Sequence, residues 1–323
     1  MVYMNADNDL EEFALQDLNE MEQIGSGDDV NIVVQVDRTP GYDSSNGDWT
    51  GCRRYRIIQD ADTQLVSSPV LEDLGEVDMG DPADLQAFLA WAMTYYPAQH
   101  YALDLWNHGA GFRSRSRESG GVTRGFSYDD TQGTHILTTA LPAAIAAVPP
   151  LDVLLWDASL MQMVEIAYQV GDAATFMVGS EESPPGDGYL YDAFLQDLAT
   201  TPSLSPEAFS AIVVNDTIAA LGGTFEVTQS AVRLSAVPKL VQELHAFAGT
   251  LRFANDTVWD EFLRGESLPL TVGRPNGGER WQRGATHELT WTTNDGVGTQ
   301  VKLELYKGGA LARTLAESTE SDG

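Results

Sequence analysis

The chain has 323 residues, 43% of them apolar, and a formal net charge of −30. This length and apolar content suffice for a catalytic domain and a smaller second domain, which excludes a wholly disordered protein. Such an acidic surface repels nucleic acid and anionic lipid, so we exclude both as partners, whereas cationic substrates are attracted. No apolar run reaches the roughly 18 residues of a membrane-spanning helix, which excludes membrane insertion.

Apolar spacing predicts alternating helices and strands over the first two-thirds of the chain. After a first strand at the amino terminus, the predicted strands are about residues 31–36, 54–58, 101–106, 152–156, 176–178 and 227–234. The predicted helices are about 9–24, 82–96, 137–148, 161–170, 206–220 and 237–251. Asn8 and Glu11 are placed to form a capping box at the first helix. The alternation predicts an α/β domain with a mostly parallel sheet covered by helices.

The composition changes after about residue 265. Period-two alternation and Gly-rich turns then predict strands near 287–292 and 301–306, typical of an immunoglobulin-like β-sandwich module. We therefore divide the chain into residues 1–265 and 266–323, and the second part is shorter than a complete module. Because the chain opens inside a strand and stops within a strand-and-turn pattern, without a visible signal peptide, we expect a fragment of a longer protein.

Cys52 is the single cysteine, so the chain has no internal disulfide and no cysteine-based metal site. It lies between a polar stretch and a strand, and we interpret it as a structural residue. The acidic segments Asp7–Asp9 and Asp129–Asp130 offer carboxylates, but neither has the ligand spacing of a calcium loop. We expect no required cofactor and leave calcium open.

Two predicted strands end in reactive residues. The strand at 101–106 leads into Asn107-His108-Gly109, and the strand at 152–156 leads into Asp157-Ala158-Ser159. Ligands bind beyond the carboxyl ends of the strands in open parallel sheets. A histidine after one apolar strand and a nucleophile after the next is an arrangement typical of caspase-like cysteine peptidases.

Several stretches of the chain resemble the clostripain family of peptidases. They are Val2–Glu11, Leu105–Gly111, Asp157–Met161 and Ser180–Gly188, in family order, and the resemblance covers roughly residues 1–255. It implies a caspase-like three-layer α/β/α sandwich and a His–Cys dyad that cleaves polypeptides after Arg or Lys. His108 falls on the family's histidine, and Ser159 falls on its cysteine.

Each matched residue has a physical role. His108 would act as general acid or base, because an unperturbed imidazole titrates near neutral pH. Gly109 lets the backbone approach the substrate, and its N–H with that of Ser159 would form an oxyanion hole. The resemblance places acidic specificity residues at Asp157 and Asp187. Alternatively, Asp157 caps the following helix and Asp187 is a turn residue.

Ser159 is the main departure from the family. A serine hydroxyl is a weak nucleophile unless an oriented base activates it, and the sequence identifies no carboxylate that would orient His108. Three explanations stay open: a deliberate substitution that traps an inactive form, a natural loss of activity in a pseudo-peptidase that binds peptides or cell-surface ligands, or a working serine variant. We expect this form to be inactive or strongly impaired.

Four arginines lie within a loop rich in Ser and Gly, between Arg113 and Arg124. The loop is either a solvated segment or, since the resemblance implies processing after a basic residue in this region, a site of self-cleavage. The appended module and the acidic surface favour a secreted or cell-surface protein. An adhesion or cell-wall protein whose β module dominates its function is a further alternative.

Overall fold

The computed structural model describes residues 1–112, 125–145, 148–225 and 227–252, and the strands 270–274, 290–293, 300–307 and 310–320. The chain forms two compact units, Met1–Val241 and Gln242–Gly323, and each is described by itself. The predicted boundary at residue 265 and the arginine-rich loop at 113–124 lie outside the described residues. Both stay predictions.

The first unit is built on an eight-stranded, mostly parallel sheet. The strands of this unit are β1 (Val2–Ala6), β2 (Val33–Arg38), β3 (Gly51–Arg56), β4 (Val70–Gly75), β5 (Ala102–Trp106), β6 (Phe126–Asp129), β7 (Thr134–Ile136), β8 (Leu151–Asp157), β9 (Ala174–Gly179) and β10 (Ser230–Arg233). The sheet order is β10-β9-β8-β5-β1-β2-β3-β4, and β6 and β7 form a separate antiparallel pair. Strands β9, β8, β5, β1 and β2 are parallel, and antiparallel strands complete both edges.

Helices cover both faces of this sheet. They are α1 (Glu11–Ile24), α2 (Pro82–Tyr95), α3 (Leu141–Ile145), α4 (Val164–Gln169), α5 (Tyr191–Thr200), α6 (Pro206–Leu221) and α7 (Val237–Arg252), of which α7 continues into the second unit. Side chains alternate along β1: Tyr3 packs into one core with Phe88 of α2, and Met4 packs into another with Leu18 of α1. The three-layer α/β/α fold predicted from the sequence is confirmed.

Parallel pairing places the carboxyl ends of β1, β2, β5 and β8 along one edge of the sheet. Met4 of β1 lies beside Trp106 of β5, which in turn lies beside Asp157 of β8. We call this line of strand ends the carboxyl edge. Loops that follow these strands therefore meet there, although their residues are far apart in sequence.

The predicted capping box at the first helix is wrong. Asn8 Oδ1 accepts a hydrogen bond from the Leu10 N–H at 3.0 Å, so Asn8 shapes the turn before the helix rather than the helix itself. The Glu11 carboxylate instead pairs with Arg38, whose Nε lies 2.6 Å away, and both side chains are fully buried. This ion pair gives the buried guanidinium its counter-charge. The helix begins without a side-chain cap.

Other boundaries also differ from the predictions. The helix expected at 137–148 is described only over Leu141–Ile145, and the one expected at 161–170 starts at Val164. Strand β4, the β6–β7 pair and α5 were not predicted, because β4 is an exposed edge strand and the hairpin strands are too short for a periodicity to register.

The second unit contains four more strands, β11 (Leu270–Arg274), β12 (Thr290–Thr293), β13 (Gln300–Lys307) and β14 (Ala310–Glu320). They pair antiparallel, β11 with β12 and β13 with β14. Antiparallel strands agree with the β-rich character predicted for residues 266–323. Most residues between these strands lie outside the described residues, so the β-sandwich stays a prediction. None of the described helices is long and apolar enough to cross a membrane.

Candidate active site

His108 and Ser159 follow neighbouring strands at the carboxyl edge. Trp106 and Asp157 are register partners, and each reactive residue lies two positions beyond one of them. The Asn107 N–H donates a hydrogen bond to the Asp157 carbonyl oxygen at 3.2 Å, so the pairing continues past the end of β5. The structure therefore brings the two predicted catalytic residues onto adjoining turns.

Gly109 contacts the backbone of Ser159. A Cβ atom at position 109 would lie 2.2 Å from the Ser159 carbonyl oxygen and 3.1 Å from its carbonyl carbon. Those distances exclude every side chain, so only glycine allows the two turns to approach this closely. Leu160, the residue after Ser159, has a φ of 66°, a left-handed conformation that is strained for a leucine. The turn carrying Ser159 is therefore sharp.

Asp9 contacts the histidine, and the sequence analysis did not predict this contact. The Nε2 atom of His108 lies 2.7 Å from Asp9 Oδ1, with the side chains 44% and 66% exposed. If Nε2–H donates to the carboxylate, Nδ1 is the ring nitrogen left to accept a proton. Asp9 follows β1, and β1 pairs with β5, so strand order was the signal that could have identified it.

Buried amides hold these turns together. Asn107 Nδ2 donates to the Asn5 carbonyl oxygen at 2.5 Å, and its Oδ1 accepts from the Tyr128 N–H at 2.8 Å. Asn8 Nδ2 donates to the Tyr128 carbonyl oxygen at 2.9 Å. These bonds tie the turn after β1, the turn after β5 and strand β6 into one support beneath His108.

Asp157 is buried below Ser159 on the α1–α5 face of the sheet. Its side chain lies within hydrogen-bond distance of the Tyr189 N–H at 3.2 Å and the Tyr191 hydroxyl at 3.1 Å, and the residue is 8% exposed. Tyr191 also lies 2.6 Å from Asp104 Oδ2. Because α4 begins at Val164, Asp157 does not cap the following helix.

Four carboxylates gather here: Asp17, Glu20, Asp104 and Asp157, which we call the specificity cluster after the role that the family resemblance predicts for Asp157. Desolvation and then the charge of Asp104 raise the pKa of Asp157 to about 8. Burial raises the pKa of Glu20 to about 7 and that of Asp104 to about 6, and it raises the pKa of Asp17 well above its usual range. The amino-terminal ammonium of Met1 partly offsets the rise in the pKa of Asp104, and the ion pairs of the described residues include no member of this cluster, so Asp157 and Asp17 keep their protons at neutral pH.

Asp187 lies at the rim of the same region and is exposed. The next residue, Gly188, passes directly over the Asp157 carboxylate, since a Cβ there would lie 2.7 Å from both Oδ atoms. The charge of Asp187 contributes to the raised pKa of Glu20. The structure thus brings Asp187 close to the specificity cluster, without a hydrogen bond to Asp157 among the described residues.

Cys52 is not a nucleophile. It is fully buried in β3, and burial raises the pKa of its thiol far above the neutral range. Its structural role, predicted from the sequence, agrees with this environment.

Comparison with known proteins decides the family. A profile of the Clostripain family (peptidase family C11) matches residues 2–274, most of the chain. The chain belongs to the Clostripain family. Clostripain of Hathewaya histolytica is 29% identical over an alignment 214 residues long, which covers 59% of this chain and 40% of clostripain. This chain therefore aligns with less than half the length of that family member.

Solved structures support the fold of this Clostripain-family chain. A secreted C11 cysteine protease from Bacteroides thetaiotaomicron, in complex with an irreversible peptide inhibitor, matches with a TM-score of 0.59 at 24% identity. The match covers 74% of this chain and 66% of that one. An inactive zymogen C11 protease from Parabacteroides distasonis matches with a TM-score of 0.55 at 18% identity, over 74% and 62% of the two chains.

Proposed function

We propose that this chain is the peptidase region of an endopeptidase that cleaves polypeptides after Arg or Lys, with His108 and residue 159 as its catalytic pair. We further propose that Ser159 leaves this form inactive or strongly impaired. One observation carries the proposal: an oriented histidine, a nucleophile position and a buried carboxylate cluster meet at one sheet edge in a Clostripain-family chain.

The proposed chemistry is acyl transfer. The nucleophile at position 159 loses its proton to His108 Nδ1 and attacks the scissile carbonyl carbon. The N–H groups of Gly109 and Ser159 form no hydrogen bond among the described residues, and we assign them to the oxyanion. The imidazolium, held by Asp9 at Nε2, then donates its proton to the leaving amine. Water hydrolyses the acyl-enzyme by the same steps.

The proposed specificity follows from charge. The specificity cluster carries more carboxylates than its hydrogen-bond donors can satisfy as anions, so a cationic side chain at the P1 position would pair with ionised Asp157. A guanidinium can form two hydrogen bonds with one carboxylate, so substrates with Arg at P1 should be cleaved at least as well as substrates with Lys. Exposed Asp187 would contribute its charge at the mouth of this pocket.

Serine at position 159 makes the expected rate low. A thiol is partly ionised near neutral pH, whereas a hydroxyl must lose its proton during the attack. The Asp9–His108 hydrogen bond supplies the orienting carboxylate that a serine variant needs, so the working-serine alternative gains one supporting observation. The pseudo-peptidase alternative rests on Ser159 alone.

The deciding experiment restores the cysteine. We expect Ser159→Cys to cleave a P1-Arg peptide at least ~10³-fold faster than the serine form, since losing a nucleophile outright costs up to ~10⁶-fold in a serine protease. Adding His108→Ala to Ser159→Cys should abolish that activity. Turnover of a fluorogenic peptide, with Ser159→Ala as the baseline, measures both effects.

A matched control keeps the result specific. Ser183→Cys introduces the same thiol on an exposed neighbouring loop and should leave the rate at baseline. If Ser159→Cys stays silent while folded, the chain is a pseudo-peptidase. If the serine form turns over and a serine-directed acylating reagent stops it, the chain is a working serine variant.

We also infer secretion and self-processing for the parent enzyme. Two of the similar structures are described as secreted proteases and another as a zymogen, which supports both inferences for this chain. Ser159→Cys should cut itself between Arg113 and Arg124, whereas the serine form should stay whole, as mass spectrometry of both proteins will show. An uncut but fully active Ser159→Cys protein contradicts activation by cleavage.

A further inference from the structure

Tyr191 has two carboxylate neighbours in the specificity cluster and a single hydroxyl hydrogen to share between them. Its hydroxyl oxygen lies 2.6 Å from Asp104 Oδ2 and 3.1 Å from Asp157 Oδ2. All three side chains are buried. A hydroxyl donates one hydrogen, and an ionised carboxylate only accepts, so Tyr191 cannot satisfy two ionised neighbours at once. One of the two carboxyl groups therefore needs a proton of its own.

The sheet register explains how the two carboxyl groups meet. Asp104 of β5 is the register partner of Leu155 of β8, and Leu155 lies two positions before Asp157. Residues two apart in a strand point to the same face of the sheet. Asp104 and Asp157 therefore both face α5, whose first residue is Tyr191. The arrangement follows from strand pairing, since Tyr191 lies 87 positions from Asp104 and 34 from Asp157.

Asp104 has the contacts of the ionised member of the pair. Its 2.6 Å distance to the Tyr191 hydroxyl is that of a hydroxyl donating to a charged carboxylate. Asp104 Oδ1 also accepts a hydrogen bond from the Asp157 N–H at 3.3 Å. The Leu105 N–H further favours the charged form of Asp104. These donors direct the Tyr191 hydrogen toward Asp104.

Asp157 is then the member that carries the proton. With the Tyr191 hydrogen directed at Asp104, the 3.1 Å contact is a hydrogen bond only when Asp157 Oδ2 donates to the phenol oxygen. The Tyr189 N–H lies 3.2 Å from the same Asp157 oxygen, and a carboxyl O–H can accept that bond while it donates to Tyr191. Two ionised carboxylates held this close in a buried site would repel each other.

We propose that Asp104, acting through the Tyr191 hydroxyl, is the positioning residue that keeps Asp157 protonated in the empty pocket, so that a P1 cation enters in exchange for that proton. The inference rests on the proposed function, in which Asp157 pairs with the P1 side chain. On binding, the Asp157 O–H bond breaks, the proton passes to solvent, and the carboxylate that remains pairs with the guanidinium or ammonium. Asp104 stays ionised and Tyr191 stays a phenol throughout.

The other titratable groups around the pair agree with this assignment. They come from α1, from the segment before α5 and from the amino terminus: Asp17, Glu20, Asp187, Tyr189 and the Met1 ammonium. Burial raises the pKa of Glu20 to about 7 and that of Asp17 well above its usual range, whereas the pKa of Asp104 rises only to about 6. Asp104 is thus the most ionised member of the specificity cluster at neutral pH. After burial, its charge is the largest cause of the raised pKa of Asp157.

Carboxyl-carbon NMR tests the pair directly in the protein with Ser159 unchanged. The protein is labelled with aspartate that carries a carbon isotope in its side-chain carboxyl group, and Asp104→Asn and Asp157→Asn identify the two resonances by their absence. We expect Asp157 to titrate above neutral pH and Asp104 below it. The reverse order overturns the proposal, as does titration of both groups below about pH 5. If a variant does not fold, the resonances that benzamidine shifts in the unaltered chain identify the pair, and their order decides the same question.

Three variants separate the charge of Asp104 from a merely structural role. Asp104→Asn replaces the carboxylate by a neutral group of the same shape and should lower the pH at which Asp157 titrates by at least about one pH unit. Tyr191→Phe removes the donor to Asp104, so Asp104 should titrate at a higher pH. Asp172→Asn, which removes one negative charge from an exposed turn, is the control and should leave both titrations unchanged. A folded Asp104→Asn protein in which Asp157 titrates as before overturns the proposal.

Benzamidine, an amidinium that resembles the head group of Arg, connects these titrations to the pocket. Its affinity for the unaltered chain should reach half its maximum near the pH at which Asp157 titrates, and Asp104→Asn should move this midpoint down by at least about one pH unit. An unmoved midpoint overturns the role of Asp104 and leaves the proposed function intact. Failure of benzamidine to bind at any pH overturns both, because Asp157 would then not receive a cation.

Discussion

The specificity cluster and a second acidic cluster lie at the same edge of the sheet but on opposite faces. The second acidic cluster has one oxygen from each of three residues within 4.8 Å of the others: Asp7, Glu76 and Asp129. Asp104 and Asp157 point to the face covered by α1 and α5, whereas the second acidic cluster lies toward the β6 face. Both contain buried carboxylates, but the hydrogen bonds that these carboxylates receive differ. The first cluster receives hydrogen bonds from Tyr191, Tyr189 and Trp106, and Asp7 of the second receives none in the described chain.

This difference separates two ways of burying negative charge. Donated hydrogen bonds and retained protons let the specificity cluster stay buried without a cation. Buried carboxylate oxygens without donors need either a counter-charge or a proton.

The largest expected effect tests the specificity cluster. In the Ser159→Cys background, P1-Arg substrates should be cleaved more than ~100-fold faster than P1-Leu substrates. The reason is that a P1-Leu substrate leaves the carboxylate unpaired, which costs a few kcal/mol. Asp157→Asn should remove most of that preference. A P1 peptide library measures it.

The comparison between clusters supplies the control for that experiment. Asp7→Asn, assayed in the same background, should keep the Arg preference even if its total activity falls. Equal kcat/KM values for Leu and Arg in the Ser159→Cys protein would falsify the assignment of Asp157. Loss of the preference in Asp7→Asn would show that the two clusters are not independent.

Binding of a cation to the specificity cluster should depend on pH. Because the pKa of free Asp157 is raised to about 8, its proton must leave when a guanidinium or amidinium binds. Affinity should therefore rise at least ~10-fold from pH 6 to pH 8 and then level off. Calorimetry with benzamidine on the Ser159 protein, in buffers of different ionisation enthalpy, measures the affinity and the proton released.

Asp157→Asn is the informative comparison for this pH effect. It should bind benzamidine weakly at every pH and should release no proton. An affinity that is flat with pH in the unaltered chain would mean that Asp157 is already ionised in the free protein.

Asp9 belongs to neither cluster and should have a smaller effect. Asp9→Asn in the Ser159→Cys background should lower kcat about tenfold with little change in KM, because it removes the orientation of His108 and leaves the binding residues intact. The acidic limb of the pH profile of kcat should shift as well. An unchanged profile, with activity intact, would make Asp9 a surface residue that merely lies near His108.

Stability should decrease as pH rises, by a few degrees in Tm. The pKa values of Asp157 and Asp37 are raised to about 8 and about 9, so the folded chain binds more protons than the unfolded chain above about pH 4. Stability is therefore greatest near pH 4–5 and falls as pH approaches 9. Thermal unfolding should show a lower Tm at pH 8 than at pH 5. A higher Tm at pH 8 contradicts these shifts.

The sequence was sufficient to predict the layers and the catalytic turns. Long apolar periods predicted α1, α2 and the central strands, and His108 and Ser159 were found because each lies two positions after an apolar strand. Such local signals do not depend on which strands become neighbours. The fold class and the two turns could therefore be read from single segments.

Residues that depend on strand order could not be predicted. Asp9 was passed over as an orienting group because it lies 99 positions from His108. The acidic segments holding Asp7 and Asp129 were each considered for calcium and set aside, since neither alone has loop spacing. The pairing register of β4 places Glu76 beside Asp7 and Asp129, so the three carboxylates form one group that neither acidic segment forms alone. Distant contacts of this kind follow from pairing, which a single sequence does not state.

The contact between Gly109 and the Ser159 carbonyl oxygen has a consequence for how such a chain can diverge. With a hypothetical Cβ only 2.2 Å from that oxygen, a mutation at position 109 would push apart the turns that carry the histidine and the nucleophile. Neither turn can change its backbone position without the other, so the two turns should change together in evolution. The side chain at position 159 carries no such restriction, because the contact involves only its backbone. Chemistry at this edge can therefore be lost or regained by a single codon change while the scaffold stays the same.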